Sequence, residues 1–153
     1  MTDAAALLAR LATRGWTVGI AESLTGGLVI AELVAVPGAS ATVRGGVVAY
    51  ATDVKRTVLG VDAELLATEG AVHPAVALEM AEGVRRAVGA DVGIATTGVA
   101  GPDEQDGRPV GTVCIAVVTP EGATTETSLF TGDRTQIRRA ATDAALAAGL
   151  ALV

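Results

Sequence analysis

Hydrophobic and polar positions along this chain follow two periods, and their alternation lays out the fold before any chemistry is considered. Residues 3–14 carry Leu7, Leu8 and Leu11 at helical spacing, Gly15 stops that helix, and Thr17 to Ala21 reads as a buried strand. A polar, glycine-bearing joint, AESLTGG at 21–27, separates the strand from an apolar helix over Leu28 to Val36 that Pro37-Gly38 ends. Gly45 to Ala51 reads as a second strand, and 53–59 and 62–68 as short helices. Pro74 opens a longer helix with Val76, Met80, Val84 and Ala87 in one stripe. Asp91 to Thr97 is a third strand, and Gly111 to Val118 with Thr124 to Phe130 forms an antiparallel pair. Asp133 caps the last helix, with Gln136 three residues on as in a capping box, and its stripe runs through Ile137, Ala141, Ala144 and Ala148. The pattern predicts an α/β fold, a mixed sheet covered by helices on both faces, in one domain over residues 1–153.

Composition refines this picture. Half of the chain is hydrophobic but only 2% is aromatic, so the core must be built from closely packed Ala, Val, Leu and Ile. A net charge of -6 weighs against a nucleic-acid partner. The pairs Arg85/Arg86 and Arg138/Arg139 read as solvated helix faces, and the lone Cys114, inside an apolar run, as a small core residue. Neither a leader pattern nor an apolar run of spanning length occurs, which predicts a cytoplasmic protein with no membrane partner.

In open α/β sheets, ligands bind beyond the carboxyl ends of the strands. Two predicted strands end in related chemistry, GIAESLTGG at 19–27 and GIATTGVAGP at 93–102, and each delivers hydroxyls and glycines to a strand end. Alone, Ser23 or Thr25 can simply cap the next helix; together the two motifs point to one shared cleft. Lys55 is the only lysine beside ten arginines. Arginine cannot serve as a base, whereas the pKa of a lysine falls readily on desolvation. With Thr52 as N-cap, Lys55 falls at the third helical position, where the helix dipole disfavours a cation by roughly 0.3–1 kcal/mol. Burial must supply the rest, and the local sequence alone favours a solvated lysine. His73, the sole histidine, precedes Pro74 as a surface residue at a helix entry, with no nucleophile near it in sequence. Ligands for a His/Cys metal site are lacking, and an all-carboxylate Mg2+ site stays open. GPDEQDGRPVG at 101–111 reads as a solvated loop or lid.

The segments ESLTGG at 22–27, PGAS at 37–40, RGGVVAYATDVK at 44–55, LGV at 59–61, EGAV at 69–72, TGVAGP at 97–102, PVGTV at 109–113 and GDR at 132–134 together resemble the CinA C-terminal domain family. The family includes a stand-alone nicotinamide-nucleotide amidase. The resemblance covers about residues 15–150 in order. It implies a three-layer α/β/α sandwich, hydrolysis of nicotinamide mononucleotide to nicotinate mononucleotide and ammonia without metal or cofactor, and a homo-oligomer, with a dimer favoured. Position by position, it implies Ser23 as nucleophile, neutral Lys55 as base, and Tyr50 positioning Lys55 or relaying its proton. Backbone amides from Ser23 to Gly27, Gly26 among them, would hold the oxyanion. The nucleotide phosphate would meet Thr25, the turn of Thr97, Gly98, Ala100 and Gly101, or Arg134. Three departures stand out: Leu24 replaces the usual cysteine, Thr52 a common asparagine, and DEQDG a glycine-rich run. Because the same domain also occurs fused to a nucleotide-processing domain, a non-catalytic nucleotide- or partner-binding role, or an amidase for another small carboxamide, stand as alternatives.

Overall fold

The computed structural model describes residues 1–153. In chain order it contains α1 (Asp3–Arg14), β1 (Val18–Glu22), α2 (Leu28–Val34), a 3-10 turn at Ala39–Ala41, β2 (Val43–Val48), α3 (Thr52–Leu59), α4 (Ala63–Glu69), α5 (Pro74–Val88), β3 (Val92–Gly98), β4 (Thr112–Thr119), β5 (Gly122–Leu129) and α6 (Arg134–Leu152). The five strands form one mixed sheet in the order β2-β1-β3-β4-β5. β1 runs parallel to both β2 and β3, while β4 and β5 are antiparallel additions. The carboxyl ends of β1, β2 and β3 therefore share one edge of the sheet.

Strict alternation along the strands divides the interior into two cores. Val113, Ile115 and Val117 of β4 face one core, with Leu7, Leu11, Leu33 and Ile137 from α1, α2 and α6. Cys114, Ala116 and Val118 face the other, with Val76, Met80 and Val84 of α5 and Leu59 of α3. Cys114 is buried there as expected. The scarcity of aromatics has a structural counterpart on the α5 side. A Cβ on Gly93 of β3 would collide with the Ala81 carbonyl, so α5 lies directly against the sheet.

The sequence-derived boundaries hold within a few residues, and the shifts have physical causes. β2 ends at Val48, short of Tyr50, because the chain turns where the Ala49 and Tyr50 carbonyls accept from the Lys55 ammonium. α3 begins at Thr52 with Ala51 as its N-cap, so Thr52 caps nothing and Lys55 is the fourth helical residue, not the third. Asp133 and Gln136 form the expected capping box at α6. His73 does more than sit at a surface: half-buried, it caps α5 through Nδ1, which accepts from the Ala75 amide at 3.1 Å. No helix is long and apolar enough to cross a membrane.

Candidate functional site

The joint between β1 and α2 is built around the carboxylate of Glu22. An acidic residue ends a fully buried strand, and α2 begins after Gly27, which has no side chain to cap it. Glu22, 1% exposed, fills that gap by accepting from the amides of Gly27, Val29 and Ile30 at 3.0–3.1 Å. The helix N-terminus thus holds an internal anion, and the positive end of its dipole is spent inside the protein. The turn that follows is fixed from two further sides. Thr96 of β3 lies 2.8 Å from the Thr25 hydroxyl and accepts weakly from the Ser23 amide at 3.5 Å. Arg138 of α6 donates to the carbonyls of Leu24 at 2.8 Å and Thr25 at 3.4 Å.

Ser23 emerges from this turn facing Lys55. Lys55 Nζ stands 2.9 Å from Ser23 Oγ, 2.7 Å from the Ala49 carbonyl oxygen and 3.3 Å from that of Tyr50. Lys55 is 1% exposed, so the solvated alternative is overturned. Desolvation lowers its pKa from 10.5 to about 8, against an opposing pull from the Asp106 carboxylate. The two carbonyls can only accept, so they take two N–H bonds. In the neutral amine the remaining position, the lone pair, then faces the Ser23 hydroxyl. The neutral amine is therefore the minor form at neutral pH and the major one above about pH 8.

Above the pair opens a cleft of about 540 Å³, lined by Ser23, Leu24, Thr97 and the 98–105 segment, with Tyr50 and Arg134 among the outer residues. That volume lies in the range of small-molecule sites. Both predicted strand ends meet here, and of the residues singled out from sequence, Ser23, Lys55, Thr97, Gly98, Ala100, Gly101, Tyr50 and Arg134 converge on this region. Arg134 joins two of its walls by donating to the Gly101 carbonyl at 2.6 Å and to the Tyr50 hydroxyl at 3.0 Å. Thr97, 1% exposed, donates its hydroxyl to the Ala71 carbonyl at 2.8 Å and shapes the floor.

Several expectations change at this resolution of detail. The Tyr50 phenol, on a residue 61% exposed, bonds to Arg134 and not to Lys55; only its backbone carbonyl positions the amine. Thr25 is fully buried with its hydroxyl against Thr96, and neither it nor Gly26 nor Gly27 lines the cleft. Gly27 N–H is committed to Glu22 and Gly26 N–H to the Ser23 carbonyl at 3.1 Å, so neither can serve an oxyanion. The 101–111 loop is exposed for the most part but tethered: the Asp106 carboxylate, on a residue with φ of 51°, accepts from the Ala71 amide at 3.0 Å. Arg138 is no solvated residue, whereas Arg139 is at the surface with Glu32 and Asp143. No group of three or more His, Cys, Asp or Glu side chains is arranged to hold a metal ion. Sequence reading missed Glu22, Thr96, Asp106 and Arg138. Only Glu22 carried a local signal, an acid closing an apolar strand ahead of an uncapped helix.

The class is an α/β fold with a five-stranded mixed sheet flanked by helices, in which a serine and a buried lysine stand within hydrogen-bonding distance at the carboxyl ends of parallel strands, beneath an open cleft. The CinA C-terminal domain model matches residues 2–152, and the chain belongs to that family. It is 51% identical over 140 residues to a CinA-like protein of Frankia casuarinae, covering 92% of this chain and 32% of that protein. It is 50% identical over 132 residues to a putative competence-damage inducible protein of Desulforamulus reducens, again covering 32% of the relative. The chain thus spans about a third of the length of these curated relatives. The crystal structure of a CinA superfamily protein from Escherichia coli superposes with a TM-score of 0.95 at 34% identity, over 99% of this chain and 88% of that one. A competence damage-inducible protein from Klebsiella pneumoniae gives 0.93 at 39% identity, over 97% and 93%.

Proposed function

We propose that this chain is an amidohydrolase that cleaves the carboxamide of nicotinamide mononucleotide through an acyl-serine intermediate. The observation that carries the reading is the 2.9 Å contact between Ser23 Oγ and an amine held almost entirely out of water. Neutral Lys55 takes the hydroxyl proton as Oγ bonds to the carboxamide carbon. The amide of Leu24, a residue that lines the cleft and whose N–H has no acceptor within the protein, is the donor left in this turn for the developing oxyanion. As the tetrahedral intermediate collapses, protonated Lys55 returns the proton to the departing nitrogen, and ammonia leaves. Water then attacks the ester with Lys55 again as base, which frees the carboxylic acid and restores the Ser23 hydroxyl. Tyr50 and Arg134 at the outer cleft supply a phenol and a guanidinium for the nucleotide phosphate.

A related reading, hydrolysis of a different small carboxamide, draws support from one feature. Asp103 and Glu104 line the cleft and place two carboxylates where the family resemblance leads one to expect glycines. Ammonia release measured across a panel of carboxamides, with nicotinamide mononucleotide beside nicotinamide, glutamine and asparagine, separates these readings. Preferred turnover of the mononucleotide supports the proposal; preference for another member replaces its substrate, and silence on all of them removes the amidase.

A further inference from the structure

Arg138 reaches the nucleophile turn from α6, more than a hundred residues away along the chain, and finds backbone only. Its guanidinium takes the carbonyls of two consecutive residues, Leu24 at 2.8 Å and Thr25 at 3.4 Å. A trans peptide is planar, so its C=O and the following N–H point in opposite directions. A hand on the Leu24 carbonyl therefore fixes the direction of the Thr25 amide. The guanidinium's hold on the Thr25 carbonyl likewise sets Gly26 N–H, which donates to the Ser23 carbonyl at 3.1 Å and so sets the Leu24 amide. The result is a turn whose carbonyls are engaged while the amide of Leu24, a residue that lines the cleft, has no acceptor within the protein. An amide left unpaired at the wall of a cleft is a ready donor to an anion. Gly26 supports the same arrangement. At φ of 58°, a Cβ there would stand 3.2 Å from Arg138 Nη2, so glycine leaves the space that the guanidinium needs.

We propose that Arg138 is a positioning residue that holds the Ser23–Gly26 turn in the orientation that presents the Leu24 amide to the oxyanion. The inference rests on the acyl-serine reading given above. It also separates Arg138 from Arg134, the other α6 arginine near the cleft, which bonds the Gly101 carbonyl and the Tyr50 hydroxyl at the outer wall. Because Arg138 acts on the transition state and touches neither the substrate nor Lys55, its loss should lower kcat while leaving KM and the pH dependence in place.

The test uses the full chain as Arg138→Ala and Arg138→Lys, each checked for parental thermal unfolding, with ammonia release from nicotinamide mononucleotide as the readout. Arg138→Ala is expected to lose about a hundredfold in kcat, comparable to removal of one oxyanion donor. Its KM and the rise of kcat through pH 8 should stay as in the parent. Millimolar methylguanidinium, but not an equal concentration of ammonium, should restore part of the rate. Arg138→Lys keeps the charge and one bonding head, and its kcat should fall between the two, so it carries the test if the alanine variant does not fold. Parental kcat in either folded variant overturns the positioning role and leaves the acyl-serine reading standing. A fall in kcat matched by a rise in KM, or a shifted pH profile, also overturns it by moving Arg138 to substrate binding or to Lys55. If the parent and Ser23→Ala release ammonia equally, the acyl-serine reading fails first and the inference falls with it.

Discussion

Replacing Lys55 with methionine should change how stability depends on pH, by an amount set by the burial of one amine. The Lys55 pKa falls from 10.5 in the exposed chain to about 8 in the fold. Between those values the unfolded chain binds a proton on this group that the folded chain does not, so stability rises with pH across the window. Below pH 8 the cost of the buried ammonium is fully present; above 10.5 it is gone. A shift of that size corresponds to about 3 kcal/mol. Few other groups titrate there, because Lys55 is the only lysine and Tyr50 the only tyrosine. Cys114, whose thiol burial pushes up, acts in the opposite direction, since its unfolded form loses the proton first. That contribution cancels in the difference between parent and variant. Urea unfolding of the parent and Lys55→Met from pH 7 to 10.5 should show the parent gaining about 3 kcal/mol relative to the variant. Deleting the amine also leaves the Ala49 and Tyr50 carbonyls unpaired, which offsets the two curves by about 1–3 kcal/mol at every pH without changing their divergence. Parallel curves would refute the burial of the charge as the source of its reactivity.

Three further outcomes follow from the same geometry. Lys55→Arg keeps a cation but cannot accept a proton at working pH, so kcat should fall to the level of Ser23→Ala, and the double variant should be little slower than either single one by ammonia assay. Asp106→Asn removes the carboxylate that raises the Lys55 pKa, so the acidic limb of the kcat profile should move to lower pH; a limb that stays in place would show that the loop charge does not reach the amine. Glu22→Gln keeps an acceptor but removes the anion from the α2 N-terminus, and should cost about 1–2 kcal/mol in urea unfolding, with little dependence on salt because Glu22 is buried.

The layered fold was legible because apolar periodicity is local and sheet faces repeat every second residue. β4 reads from sequence as it folds, Val113, Ile115 and Val117 to one side and Cys114, Ala116 and Val118 to the other. The meeting of the two hydroxyl-bearing strand ends was legible too, since parallel neighbours must end on the same edge. The environment of Lys55 was not. Its neighbours Asp53 and Arg56 are exposed and advertise a solvated helix; the burial comes from the turn of Ala49 and Tyr50 folding back over the amine. Arg138 was misread for a similar reason. Its partners are two backbone carbonyls on the opposite side of the chain's length, and backbone atoms carry no sequence signature. The glycines of ESLTGG drew attention as anion-binding amides, yet Glu22 already occupies the helix end they open. A carboxylate beside a helix start competes with any incoming anion, and here it wins by covalent proximity.

In the mechanism proposed above, Ser23, activated by Lys55, forms a covalent acyl intermediate with a carboxamide. The most direct measurement is the initial rate of ammonia release from nicotinamide mononucleotide at pH 8 by the purified parent and by Ser23→Ala, at equal concentration and with native unfolding confirmed for both. The parent should release ammonia steadily, and Ser23→Ala none above background. Equal rates in the two proteins, or no release by the parent, would contradict that mechanism.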